Sequence, residues 1–222
     1  MLSLIRFVLI FLPTCSTAQS LTLQTGISHS YMPIHTDDKH GTLNTTFKAP
    51  AIRYAFGVSL NLGKNPLVHY SADVQVYRGG GKVSDAEKTG PLPWGQKYGQ
   101  VRMDYIAIGG SVHFSPLNGK TSIEMEAGPR INYMYHGQES EELYYWNKYK
   151  QLTRLNFGMN AGFGVYHQLP KIKIGVRGIY IQNLKKVIDQ DEWVAPVVPA
   201  KATERTFLIQ FCSEIPLKST KS

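Results

Sequence analysis

Apolar and polar side chains alternate with a period of two along most of this 222-residue chain. Successive side chains of a strand point to opposite faces, so this period marks half-buried β-strands rather than helices. It predicts eight strands, at about 21–31, 49–62, 67–77, 99–114, 121–135, 152–167, 171–182 and 204–215. In the second strand Ile52, Tyr54, Phe56, Val58, Leu60 and Leu62 oppose Arg53, Ala55, Gly57, Ser59 and Asn61. In the fifth, Ile123, Met125, Ala127, Pro129, Ile131, Tyr133 and Tyr135 oppose Glu124, Glu126, Gly128, Arg130 and Asn132. The sixth sets Leu155, Phe157, Met159, Ala161, Phe163 and Val165 against Arg154, Asn156, Gly158, Asn160, Gly162 and Gly164. The third and eighth alternate in the same way, and the first and seventh less cleanly.

The connections alternate too. Gly63 to Pro66, Ser115 to Lys120 and Gln168 to Pro170 read as short turns, rich in Gly, Pro, Asn and Lys. The connections at about 32–48, 78–98, 136–151 and 183–203 are much longer, and Gly79-Gly-Gly81 is expected to enter one of them. Long and short connections in strict turn place all the long loops at one end of an up-and-down meander.

The apolar faces are large and aromatic, whereas the polar faces carry Gly, Ser and Asn with few charges. A soluble exterior would be dense in Lys and Glu, yet charged residues make up only 18% of the chain. Strands of this length reach the roughly 9–11 residues that a tilted strand needs to cross a bilayer. Only helices and closed barrels satisfy their backbone in lipid. The expectation is therefore an all-β fold, an eight-stranded antiparallel up-and-down transmembrane β-barrel. Its apolar face would meet lipid and its polar face would line the interior. A secreted lipocalin-like barrel is the soluble alternative.

Residues 1–18 read as a signal peptide. Arg6 precedes an apolar run, and Ser16-Thr17-Ala18 offers a small-residue cleavage site. Residues 19–222 are then a single barrel domain ending in a short polar tail, Lys218-Ser-Thr-Lys-Ser222. Cleavage removes Cys15 and leaves Cys212 as the one cysteine, so an intrachain disulfide is not available.

Three stretches carry a resemblance to a known family: Glu126-Ala-Gly-Pro-Arg-Ile-Asn-Tyr133, the Gly-rich Phe157 to Tyr166, and Lys173-Ile-Gly-Val-Arg177 running on to Asn183-Leu184. Over about 21–215 the chain resembles the small outer-membrane β-barrels of Bacteroidota, of the porin-family or PorT-like type. The resemblance implies an outer-membrane location and allows a place in a larger envelope assembly such as a secretion system. One departure is the polar tail, where such chains often end on an aromatic residue.

In this register Arg53, Asp73, Glu124, Glu126, Arg130, Arg154, Lys173, Arg177 and Glu214 point into the interior, five basic groups against four acidic. An eight-stranded barrel is just wide enough for side chains to fill. These charges are expected to pair and plug the lumen, the alternative being a narrow selective channel. No catalytic, cofactor or metal site is expected. His69-Tyr-Ser71 and His113-Phe-Ser115 each place His and Ser on one face of a strand, as a lipid-modifying hydrolase would need. The first pair faces the interior, however, and Ser115 is read as opening a turn. His35 and His40 with Asp37 and Asp38 read as a solvated loop rather than a metal site.

All three tryptophans, Trp94, Trp146 and Trp193, fall in the long connections with Tyr98, Tyr144 and Tyr145. Aromatics in loops point to a partner surface or an interface belt. The formal net charge of +8 suits lipopolysaccharide and envelope proteins as partners, around a monomeric barrel. Loop charges of both signs give no patch for nucleic acid.

Overall fold

The structure, a computed structural model, describes residues 18–36, 46–47, 52–63, 65, 67–82, 100–138, 153–190 and 200–217. Eight long strands follow one another: β1 (Ala18–Thr36), β2 (Ile52–Leu62), β3 (Val68–Lys82), β4 (Gln100–Asn118), β5 (Thr121–Gln138), β6 (Leu155–Gln168), β7 (Lys173–Asn183) and β8 (Arg205–Pro216). Each pairs antiparallel with its sequence neighbour, and β8 returns to β1 from Ser20↔Pro216 to Tyr31↔Arg205. The sheet is thus a closed, up-and-down barrel without a free edge along this path, so its strands satisfy one another's backbone groups. Among the described residues there is no helix.

The strands match the alternation and outrun it at the loop end. Gly79-Gly-Gly81, read as entering a loop, lies within β3 and pairs with Met103, Arg102 and Val101. Beyond the β2 and β8 pairings, β1 continues by pairing with Thr46–Phe47 and with Ala200–Ala202, which in turn pairs with Ile188–Gln190. The predicted turn at Ser115–Lys120 is also corrected. β4 runs on to Asn118, with an irregular register between Phe114 and Leu117 that absorbs Pro116. A bulge can hold a residue that cannot donate to the ladder, so a proline here did not end the strand.

The outer face is apolar. Phe56, Met159 and Val176 each leave 53% of their surface uncovered, and Phe114, Met125, Phe163 and Phe211 are exposed as well. On β6 this face runs from Leu155 to Val165, between exposed Arg154 and His167. At ~3.3 Å per residue and a tilt of ~40°, those residues make a band roughly 25 Å tall, the height of the lipid-facing belt of an outer-membrane barrel. Exposed Lys185, Lys186 and Arg205 stand at its loop end, with Lys120 and Lys171 at its turn end.

Candidate functional site

The barrel interior gathers the polar chemistry of the described residues. Period-two strands send Ser71, Asp73 and Gln75 of β3 inward, with Ser111 and His113 of β4 and Glu124, Glu126, Arg130 and Asn132 of β5. Mid-barrel, Arg130 Nη2 donates to Asp73 Oδ1 at 2.9 Å. Arg177 Nη1 donates to Glu126 Oε2 at 3.0 Å, and its Nε to Gln210 Oε1 at 3.1 Å. Gln75 donates to Gln24 at 3.1 Å, and Gln24 to Ser59 at 3.0 Å. Asn160 donates to Ser111 at 3.0 Å and Asn132 to Asn183 at 2.6 Å. Burying unpaired charge would cost several kcal/mol per ion, so pairing is the condition for these groups to be inside at all.

At the turn end the interior opens into a recess of about 280 Å³, lined by His69, Ser115, Glu124, Lys173 and Glu214 among others. Lys173 Nζ bonds Glu124 Oε1 and lies 3.5 Å from Glu214 Oε2. Ser20 Oγ also donates to Glu214. His69, in the recess wall, stacks on the buried His113 with ring centroids 4.6 Å apart, joined by the register His69↔His113. His113 Nε2 lies 2.8 Å from Ser71 Oγ. His113 Nδ1 lies 3.6 Å from Glu126 Oε2 and 3.9 Å from Glu124 Oε2.

At the loop end the interior is more apolar. Tyr77 and Tyr105 stack at 5.2 Å, and Met32, Met103 and Leu208 are fully covered. Among the described residues one interior carboxylate lies there: Glu204 is 0% exposed, and its Oε1 accepts the Gly80 N–H at 2.6 Å. The approach needs bare backbone. A Cβ on Gly79 would stand 2.0 Å from Glu204 Oε1, and Gly80 holds φ at +104°. Arg53 Nη1 donates to the Gly79 carbonyl at 2.7 Å.

Of the nine charged residues assigned to the interior, Asp73, Glu124, Glu126, Arg130 and Arg177 are buried there. Arg53, Lys173 and Glu214 lie half-buried toward its two ends. Arg154 is the correction. It is exposed and precedes β6, its carbonyl accepting the Met134 N–H at 2.8 Å. The alternation continues through Arg154, but the strand does not. Trp94, Tyr98, Tyr144, Tyr145, Trp146 and Trp193 lie outside the described residues. So do residues 1–17, which fall in the stretch expected to be a signal peptide, and Asp37, Asp38, His40 and the Lys218–Ser222 tail.

Two groupings were missed by sequence reasoning. One is the cluster of His69, His113 and Glu124, built across three strands. The other is on the outer face at the loop end, where Arg78 grips Asp104 through Nε (2.5 Å) and Nη2 (2.9 Å) and lies 5.0 Å over the Tyr54 ring. Such an aromatic-covered ion pair suits the membrane interface.

No protein-family model matches the chain, and no curated protein matches its sequence. Solved structures do. The outer membrane protein OprG from Pseudomonas aeruginosa is 11% identical, aligned over 90% of this chain and 97% of its own, with a TM-score of 0.54. The Neisserial surface protein A is 11% identical over 89% and 97%, with a TM-score of 0.46. The outer membrane enzyme PagL is 13% identical over 86% and 99%, with a TM-score of 0.41. At these identities the likeness is one of fold. The chain is a small eight-stranded barrel of the outer-membrane kind, and the apolar belt and closed backbone are the physical reasons it resides in that membrane.

Proposed function

We propose that the protein is a non-enzymatic integral barrel that acts through its surfaces rather than through a pore, as a structural or adhesive element or as a component of an envelope assembly. The observation that carries this reading is the filled lumen. Arg130 and Arg177, 2% and 5% exposed, reach across to Asp73 and Glu126, and eight strands leave little room for a water column beside them. The PorT-like resemblance of the sequence favours the assembly role. The partners in this reading are lipopolysaccharide and envelope proteins met at the loop end, with no nucleic acid. Reconstitution in planar bilayers tests it. The wild type should show no steady current steps, and ion-selective single-channel currents would put the narrow channel first.

The hydrolase reading has one observation in its favour, the 2.8 Å contact between Ser71 Oγ and His113 Nε2. A serine nucleophile also needs its base oriented by a third group and a path for substrate. Both carboxylates stand beyond hydrogen-bond reach of His113 Nδ1, and Ser71 is buried and does not line the recess. A fluorophosphonate probe should therefore leave the folded barrel unlabelled. Labelling abolished by Ser71→Ala would reverse the order.

A further inference from the structure

We propose that His69, His113 and Glu124 form a binding site for one borderline divalent transition-metal ion, of the zinc class, entered from the turn-end recess. A ligand atom from each of the three residues lies within 4.8 Å of the others. Two imidazoles and one carboxylate are a donor set that suits zinc and its neighbours and is poor for magnesium or calcium.

The orientation of His113 is the second observation. Its Nε2 is held by Ser71 at 2.8 Å, while its Nδ1 faces Glu124 and Glu126 at 3.9 and 3.6 Å. Those gaps are too long for hydrogen bonds. They are close to the roughly 3.3 Å that separates two donors across a tetrahedral ion with ~2.0–2.1 Å bonds. When Nε2–H donates to Ser71, the Nδ1 lone pair points at two carboxylates, an arrangement that a cation between them makes favourable. A ligating histidine typically has its other ring nitrogen fixed in this way. Glu124 is fixed as well, since Lys173 holds Oε1 and leaves Oε2 to face the ring.

Access fits the same reading. His69 and Glu124 line the recess, and His113 lies stacked beneath His69. Parallel rings cannot both direct lone pairs at one point, so metal entry requires the His69 ring to turn. Half-exposed at the mouth, His69 has room to do so. The fourth position faces the recess and is open to water. An ion there would tie β3, β4 and β5 together at the turn end of the barrel.

The test is isothermal titration of zinc chloride into the folded, full-length barrel in detergent, with heat-modifiable gel migration confirming the fold of every variant. One ion per barrel is expected, with magnesium failing to compete. His69→Gln and Glu124→Gln should each bind at least about tenfold more weakly. Ser71→Ala should weaken binding while leaving all three ligands in place, and His167→Gln, on the outer face, should change nothing. If the buried His113→Gln fails to fold, the two recess-lining variants decide the matter. Absence of zinc binding, equal binding by wild type and His69→Gln, or loss of binding with His167→Gln would each overturn the site.

Discussion

Toward the turns and through its middle, the barrel interior is lined by Glu124, Lys173, Glu126, Arg177, Asp73 and Arg130, joined by ion pairs and side-chain hydrogen bonds. Toward the loops it is lined by Tyr77, Tyr105, Met32 and Met103, with Glu204 as the one interior carboxylate there among the described residues, bonded by the Gly80 N–H and by the Tyr105 and Ser30 hydroxyls. The first region depends on complementary partners, so its members are strongly coupled. The second depends on packing, and its members contribute volume and dispersion largely one by one. Among the described residues no loop or helix enters the lumen, so in the proposed reading the ion pairs themselves are the plug.

The two regions should differ most when one partner of the most buried ion pair is removed. Arg130→Ala strands Asp73 in the lumen and should cost about 3–5 kcal/mol in a urea series. Adding Asp73→Asn should recover part of that loss, because the two residues are in contact. A double variant as unstable as the single one would mean that Arg130 acts through packing alone. In the loop half, Met103→Ala should cost about 3 kcal/mol through the cavity it leaves. That loss should be indifferent to salt and to any charge change in the turn half; salt sensitivity there would blur the distinction drawn between the two regions. Lys173→Met should show the smallest effect, under about 1 kcal/mol, since the side chain is 19% exposed at the recess and open to screening. Its loss should shrink further in high salt, and a cost equal to that of Arg130→Ala would make the recess part of the dry plug.

Most of the fold was legible because one signal, the period of two, fixes both strand type and facing. On β6 it placed Phe157, Met159 and Ala161 outside and Asn156 and Asn160 inside, as found. It failed where parity says nothing about length. Arg154 keeps the parity but lies before the strand, and Gly79 to Gly81 look like a loop yet continue β3 through their pairing with Met103, Arg102 and Val101, with Glu204 seated where a Cβ on Gly79 would stand. Pro116 looks like a turn residue, yet the irregular register between Phe114 and Leu117 carries it within β4. The histidine cluster lay beyond such reading altogether. His69 and His113 meet through the register of β3 on β4, and no local pattern within either strand encodes that register.

Whether this barrel turns its apolar face to lipid and its polar face to a filled interior can be read from a nitroxide scan along β6 from Leu155 to Val165 in lipid vesicles. Labels at Leu155, Phe157, Met159, Ala161, Phe163 and Val165 should collide with oxygen dissolved in the bilayer. Labels at Asn156, Asn160 and Gly164 should be shielded from oxygen and immobilised by their neighbours. The opposite parity, or water accessibility shared equally by both sets, would contradict the account.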